Sequence, residues 1–130
     1  MFKLIDEVDD AILLQLDTFA ASGKEKYGYI VVQLVDGVVR SYWAQFRFED
    51  FGDEGQAELP QVYKTRSGAL KAVARMTAWV ANDRTARGAD ATAPFAVAFW
   101  MHPDAMDKPL RKYAELTTKL GWEGSPPGNR

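Results

Sequence analysis

The 130-residue sequence contains no cysteine and a single histidine, His102. The first absence removes disulfides, thiolate metal ligands and cysteine nucleophiles together, and it suits a reducing cytoplasm. The second makes any conventional serine–histidine–acid triad depend on groups brought together from distant positions. G-x-S-x-G elbows, phosphate-binding P-loops, dinucleotide fingerprints and H-E-x-x-H pairs are all missing. No catalytic residue, metal ligand or cofactor is therefore assigned, and the chain is not expected to be an enzyme. His102-Pro103-Asp104 reads as a strand exit, a fair place for a general base and equally an ordinary turn.

Long hydrophobic runs are also missing. The longest, Phe95 to Met101, is far too short to cross a bilayer. Met1 to Ile5 turns acidic at Asp6 without the apolar stretch of a secretory leader, so the expected location is cytoplasmic. The formal net charge of −2 lacks the strong positive balance of a dedicated nucleic-acid binder.

The sequence does hold enough apolar material for a core. Hydrophobic residues make up 47% and charged residues 26%, the balance of a globular protein and not of a disordered one. Residues 1–122 read as one α+β domain, and 123–130, with Pro126-Pro127-Gly128, as a disordered tail.

Periodicity predicts the elements. Val8, Ile12, Leu16 and Phe19, widened by Leu13 and Ala20, predict a helix over 6–21. Tyr27 to Val35 and Val38 to Phe48 are β-rich runs joined by Asp36-Gly37, the pair that type I′ hairpin turns select because both turn residues need positive φ. A two-residue loop sets Val35 opposite Val38. Regular pairing from there puts Tyr27, Tyr29, Val31, Arg40, Tyr42 and Phe46 on one face and Ile30, Val32, Leu34, Val39 and Trp43 on the other. Residues 49–60 read as a loop and Gln61 to Thr65 as a short third strand. Ser67 is the expected N-cap of a helix reaching about Asn82, with Leu70, Val73, Thr77 and Val80 as its inner stripe. Pro94 to Met101, apolar on both faces, reads as a central or covered strand. A last helix is expected over 107–120. The order α-β-β-β-α-β-α predicts an α+β fold: a mostly antiparallel four-stranded sheet with helices packed on one face.

Two apolar faces on one hairpin exceed what a one-sided sheet needs. If helices cover only one, Tyr27, Tyr29, Tyr42 and Phe46 beside Arg40 make an aromatic patch of the kind found at partner surfaces and base-stacking platforms. Those rings could instead pack under a helix, a loop or a second copy, and the alternation does not say which face is inner. Four tryptophans, Trp43, Trp79, Trp100 and Trp122, add to the aromatic content, and Trp is favoured at interface hot spots.

Charge is unevenly distributed. Residues 49–60 hold five acids (Glu49, Asp50, Asp53, Glu54 and Glu58) and no base. Residues 62–88 hold Lys64, Arg66, Lys71, Arg75, Arg84 and Arg87 against Asp83 alone, a net of +5. Lys71 and Arg75 share a helix face, with Lys64 and Arg66 just before it, an arrangement suited to a phosphate or carboxylate.

Helix, three strands and helix over 6–82, with the run Arg66-Ser67-Gly68-Ala69-Leu70-Lys71-Ala72-Val73-Ala74 opening the last helix, is similar to a double-stranded-RNA-binding domain. That resemblance implies duplex-RNA contacts from the basic helix. The chain departs from it in its bare Asp36-Gly37 hairpin, its sparse lysines and its additional C-terminal strand and helix.

The expected function is that of a non-catalytic protein-binding module, an inhibitor, adaptor or regulator that occludes its partner, in the style of compact phage and mobile-element accessory proteins. Its expected contacts are Tyr27, Tyr29, Arg40, Tyr42, Phe46, Asp50, Asp53 and Glu54. The alternative is nucleic-acid binding through Lys64, Arg66, Lys71 and Arg75. A homodimer is compatible with both.

Overall fold

The computed structural model describes residues 2–22, 27–50, 59–82 and 93–101. The expected last helix, the tail, His102, Trp122, Asp53 and Glu54 lie outside the described residues. The elements are β1 (Phe2–Leu4), a 3-10 turn (Ile5–Glu7), α1 (Asp10–Ser22), β2 (Tyr27–Val35), β3 (Val38–Trp43), β4 (Phe48–Asp50), α2 (Arg66–Asn82) and β5 (Phe95–Met101).

The strands form one antiparallel sheet of five in the order β1-β5-β2-β3-β4. The α+β class therefore holds, with an extra edge strand at each side of the expected core. β1 is too short to carry a readable period, and it is recruited by pairing Phe2 with Trp100 and Leu4 with Ala98. β4 joins Phe48, the end of the run expected to be one strand over 38–48, to Glu49 and Asp50 from the expected loop. The chain turns at 44–47 instead, closed by a bond from the Ala44 N–H to the Arg47 carbonyl at 2.9 Å. Gln61–Thr65 does not form a strand. It is stitched to β2 by a single two-way bridge between Tyr29 and Tyr63.

β5 occupies the position its two apolar faces predicted, between β1 and β2. α1 and α2 both cover one face. Leu13, Leu16 and Ala20 of α1 and Ala69 of α2 pack with Tyr29, Val97, Phe99 and Met101. Further along, Ala72 and Met76 pack on Val31, Trp43 and Phe48. Burial of each such large side chain contributes roughly 1.5–3 kcal/mol. The other face holds Ile30, Val32, Tyr42, Ala98 and Trp100, none more than 4% exposed, with Phe2, Leu4 and Val62 against them.

The hairpin turn is as expected: Asp36 and Gly37 have φ of 54° and 77°, and Val35 pairs with Val38. Two steps later the register slips. Leu34 pairs with Val39 but Gln33 pairs with Ser41, so Arg40 is an extra residue on β3. A one-residue bulge moves every following side chain to the opposite face. Tyr42 therefore lies opposite Val32, on the face away from the helices, while Tyr29 lies beneath them. The aromatic patch of Tyr29, Tyr42 and Phe46 on one face does not exist; both tyrosines are fully buried in different halves of the core.

α2 is also rotated from the expected stripe. Ala69, Ala72, Met76 and Val80 are buried, Val73 is half-buried, and Leu70, Ala74 and Thr77 are exposed. Alanines at the contact let the helix lie close to the sheet, which ranks shape above hydrophobicity. Its cap is Thr65, whose Oγ1 accepts the Gly68 N–H at 3.0 Å, and not Ser67.

Candidate functional site

The segment before α2 is placed by a close backbone approach. A Cβ at Gly28 would stand 2.4 Å from Val62 Cγ1 and 3.0 Å from the Tyr63 carbonyl, so only glycine lets residues 62–63 lie against β2. The bridge that follows, Tyr29 N–H to Tyr63 O at 2.9 Å and Tyr63 N–H to Tyr29 O at 2.7 Å, orients the chain into Lys64, Thr65 and Arg66. α2 then starts beside the C-terminal half of α1.

Three polar groups meet at that junction. Arg66 donates from Nε to Asp17 Oδ1 at 2.8 Å and from Nη2 to Oδ2 at 2.9 Å, the two-pronged geometry that arginine and carboxylate share. The Tyr29 hydroxyl, arriving from the sheet below, donates to the same Asp17 Oδ1. Burial pushes the Asp17 carboxyl up, but the bonds from Arg66 and Tyr29 and the Arg66 charge outweigh it, so it titrates below its ordinary value. Burial and the adjacent carboxylate push the Tyr29 hydroxyl far up, which keeps it a neutral donor. Sheet, α1 and α2 are thereby tied at one carboxylate.

Beside this tie runs an open groove of about 730 Å³ between the two helices. Asp17 and Ala21 line it from α1, Lys64 from the segment before α2, and Arg66, Leu70 and Lys71 from the start of α2. Leu70 is 50% exposed. On α1, Leu14 is 65% exposed and lies one turn before Asp17 on the same helix face. The groove is thus a mostly apolar trough with exposed lysines on its α2 side.

The structure gathers Lys64, Arg66 and Lys71, three of the four basic residues marked in the sequence, around this groove. Arg66 has its fork occupied by Asp17, while Lys64 and Lys71 are exposed. Arg75 is exposed but sits beside Tyr63, whose hydroxyl burial pushes up and the Arg75 charge partly offsets. The residues expected to meet a partner through the sheet are scattered. Tyr27 is half-buried against Phe19, ring centroids 5.6 Å apart. Arg40 is exposed at the bulge, Phe46 is 64% exposed in the β3–β4 turn, and Asp50 is exposed on the edge strand.

Asp17, Leu14, Ala21 and the exposure of Leu70 were not anticipated. Asp17 carried a signal: an acid set between Leu13, Leu16 and Ala20 needs a partner if it comes near the core. No described helix is long and apolar enough to cross a membrane. No protein family, curated protein or solved structure matches the chain.

Proposed function

We propose that the chain is a non-catalytic binding module that captures a segment of another protein in the groove between α1 and α2. The observation that carries this reading is the groove itself: an apolar floor of Ala21, half-exposed Leu70 and Ala74, edged by Lys64 and Lys71, with exposed Leu14 one turn before Asp17 on α1. A trough between two helices with apolar anchors and one sign of charge suits an amphipathic segment whose polar side is acidic. Leucine in the floor favours a protein over a nucleic acid, because phosphate backbones gain nothing from apolar contact and the chain's net charge of −2 opposes them. Capture of a segment in this way would occlude it from other partners, which is the action of an inhibitor or adaptor.

The test is an NMR titration of labelled protein with acidic amphipathic peptides carrying leucine anchors at helical spacing, and with duplex RNA as the contrast. Peptide binding should shift amides of residues 17–21 and 64–74, and the shifts should vanish in Lys64→Glu/Lys71→Glu. Shifts caused by duplex RNA and not by peptides would make the nucleic-acid reading the better one. Peptide-induced shifts confined to β3 and the β3–β4 turn would move the site to Arg40 and Phe46.

A further inference from the structure

α1 carries opposite features along one stripe. Asp10, Leu14, Asp17 and Ala21 follow one another at helical spacing. Asp10 opens it, and Asp6, Glu7 and Asp9 come just before; all four are exposed, with Glu7 paired to Lys3 at 3.4 Å. At its end, Ala21 opens into the groove edged by Lys64 and Lys71. Leu14, exposed, lies between the two. Asp10 and Ala21 are about 16 Å apart along the axis, at 1.5 Å per residue.

We propose that, with no other occupant, the groove takes the acidic start of α1 from a second copy of this chain, forming a two-fold dimer. The proposal rests on the groove being a docking site, and it names the chain's own occupant for it. Two copies related by a two-fold axis across α1 set these helices antiparallel. Each acidic end then lies over the other's lysines, and because the spacing is the same in both copies the two contacts close together. Leu14 falls near the axis, where the partner covers it. Single exposed ion pairs are weak and screened by salt. The dimer therefore depends on both ends acting at once and dissociates as salt rises. It also competes with any other protein for the groove.

Sedimentation velocity at roughly 0.5 mM protein detects even a dimer of millimolar affinity. At about 30 mM salt the average mass should rise clearly above the 14.5 kDa of the chain, toward twice that value, and at about 500 mM it should return to 14.5 kDa, the range over which screening becomes severe. Lys64→Glu/Lys71→Glu and Asp6→Lys/Asp10→Lys should each be monomeric at low salt. Mixed together they should dimerise again, since acidic groove then meets basic helix start and basic groove meets acidic helix start. Circular dichroism on each variant checks that it is folded. A monomer at low salt in the wild type overturns the proposal, as does a dimer that survives high salt or a mixture that stays monomeric. The Asp6→Lys/Asp10→Lys variant keeps its groove. If it binds acidic peptide while the wild type never dimerises, only the self-association has failed; if it binds none, the groove reading has failed as well.

Discussion

Asp17 accepts Arg66 through both carboxylate oxygens, at 2.8 and 2.9 Å, and in doing so holds α1 and α2 on either side of the groove. The two residues are separated by 49 positions, and the Tyr29 hydroxyl joins them from the sheet.

Replacing Asp17 by Asn should cost about 1–2 kcal/mol at pH 7, a charged hydrogen-bonded pair discounted for its partial exposure. The pH dependence has a definite sign. The folded carboxyl titrates below the 3.8 of a free aspartate, so its contribution is complete above that value and fades as pH falls through the lower folded one. Urea midpoints of wild type and Asp17→Asn, well apart at pH 7, should converge as pH falls through the lowered folded value. A gap that stays constant as the carboxyl protonates would mean that the loss does not come from its charge.

Gly28→Ala forces a methyl group against Val62 Cγ1 and the Tyr63 carbonyl. The expected loss is about 1–3 kcal/mol, typical of overpacking. Val62→Ala makes room for the methyl, so the double variant should lose less than the sum of the single ones. Strict additivity in denaturant melts would show that the close approach is relieved elsewhere.

Arg40 is the unpaired residue of the β3 bulge. Deleting it leaves Ser41 opposite Gln33 and Tyr42 opposite Val32, so the protein should stay folded with a loss within about 2 kcal/mol. Deleting Ser41 instead pulls Arg40 into a buried position between Gln33 and Asp50, where its long side chain overpacks the sheet and should cost more than the Arg40 deletion. Equal thermal stability of the two deletions would contradict the register.

Leu70 is exposed where periodicity put it in the inner stripe of its helix, and Tyr42, whose face periodicity left open, is in the core. Tyr42→Ala should destabilise by about 3–5 kcal/mol as a core truncation. Leu70→Ser should change stability by less than about 0.5 kcal/mol, as an exposed substitution, while abolishing peptide-induced shifts in the groove. Urea denaturation of both variants separates core from surface directly.

The local chemistry was legible from the residues alone. Asp36-Gly37 dictated the hairpin turn because its two positive φ values are a property of those two residues. The apolar period of α1 and the two-sided apolarity of β5 marked a covered helix and an inner strand, because periodicity reports burial wherever an element is regular. The basic cluster at the start of α2 was visible, and the structure brings three of its members to one groove. What the sequence by itself determined was therefore α1, α2, β5, the hairpin with its turn and the α+β class. Tertiary structure decided the rest. The bulge at Arg40 reversed the faces of β3, because register answers to packing across the whole sheet and not to the turn alone. α2 turned alanines inward and left Leu70 outside, because a helix set close to a sheet selects small side chains at the contact. Asp17 found Arg66 and Tyr29 only once α1, α2 and β2 converged, since a carboxylate's partner is chosen by distance in space and sequence spacing carries no record of it.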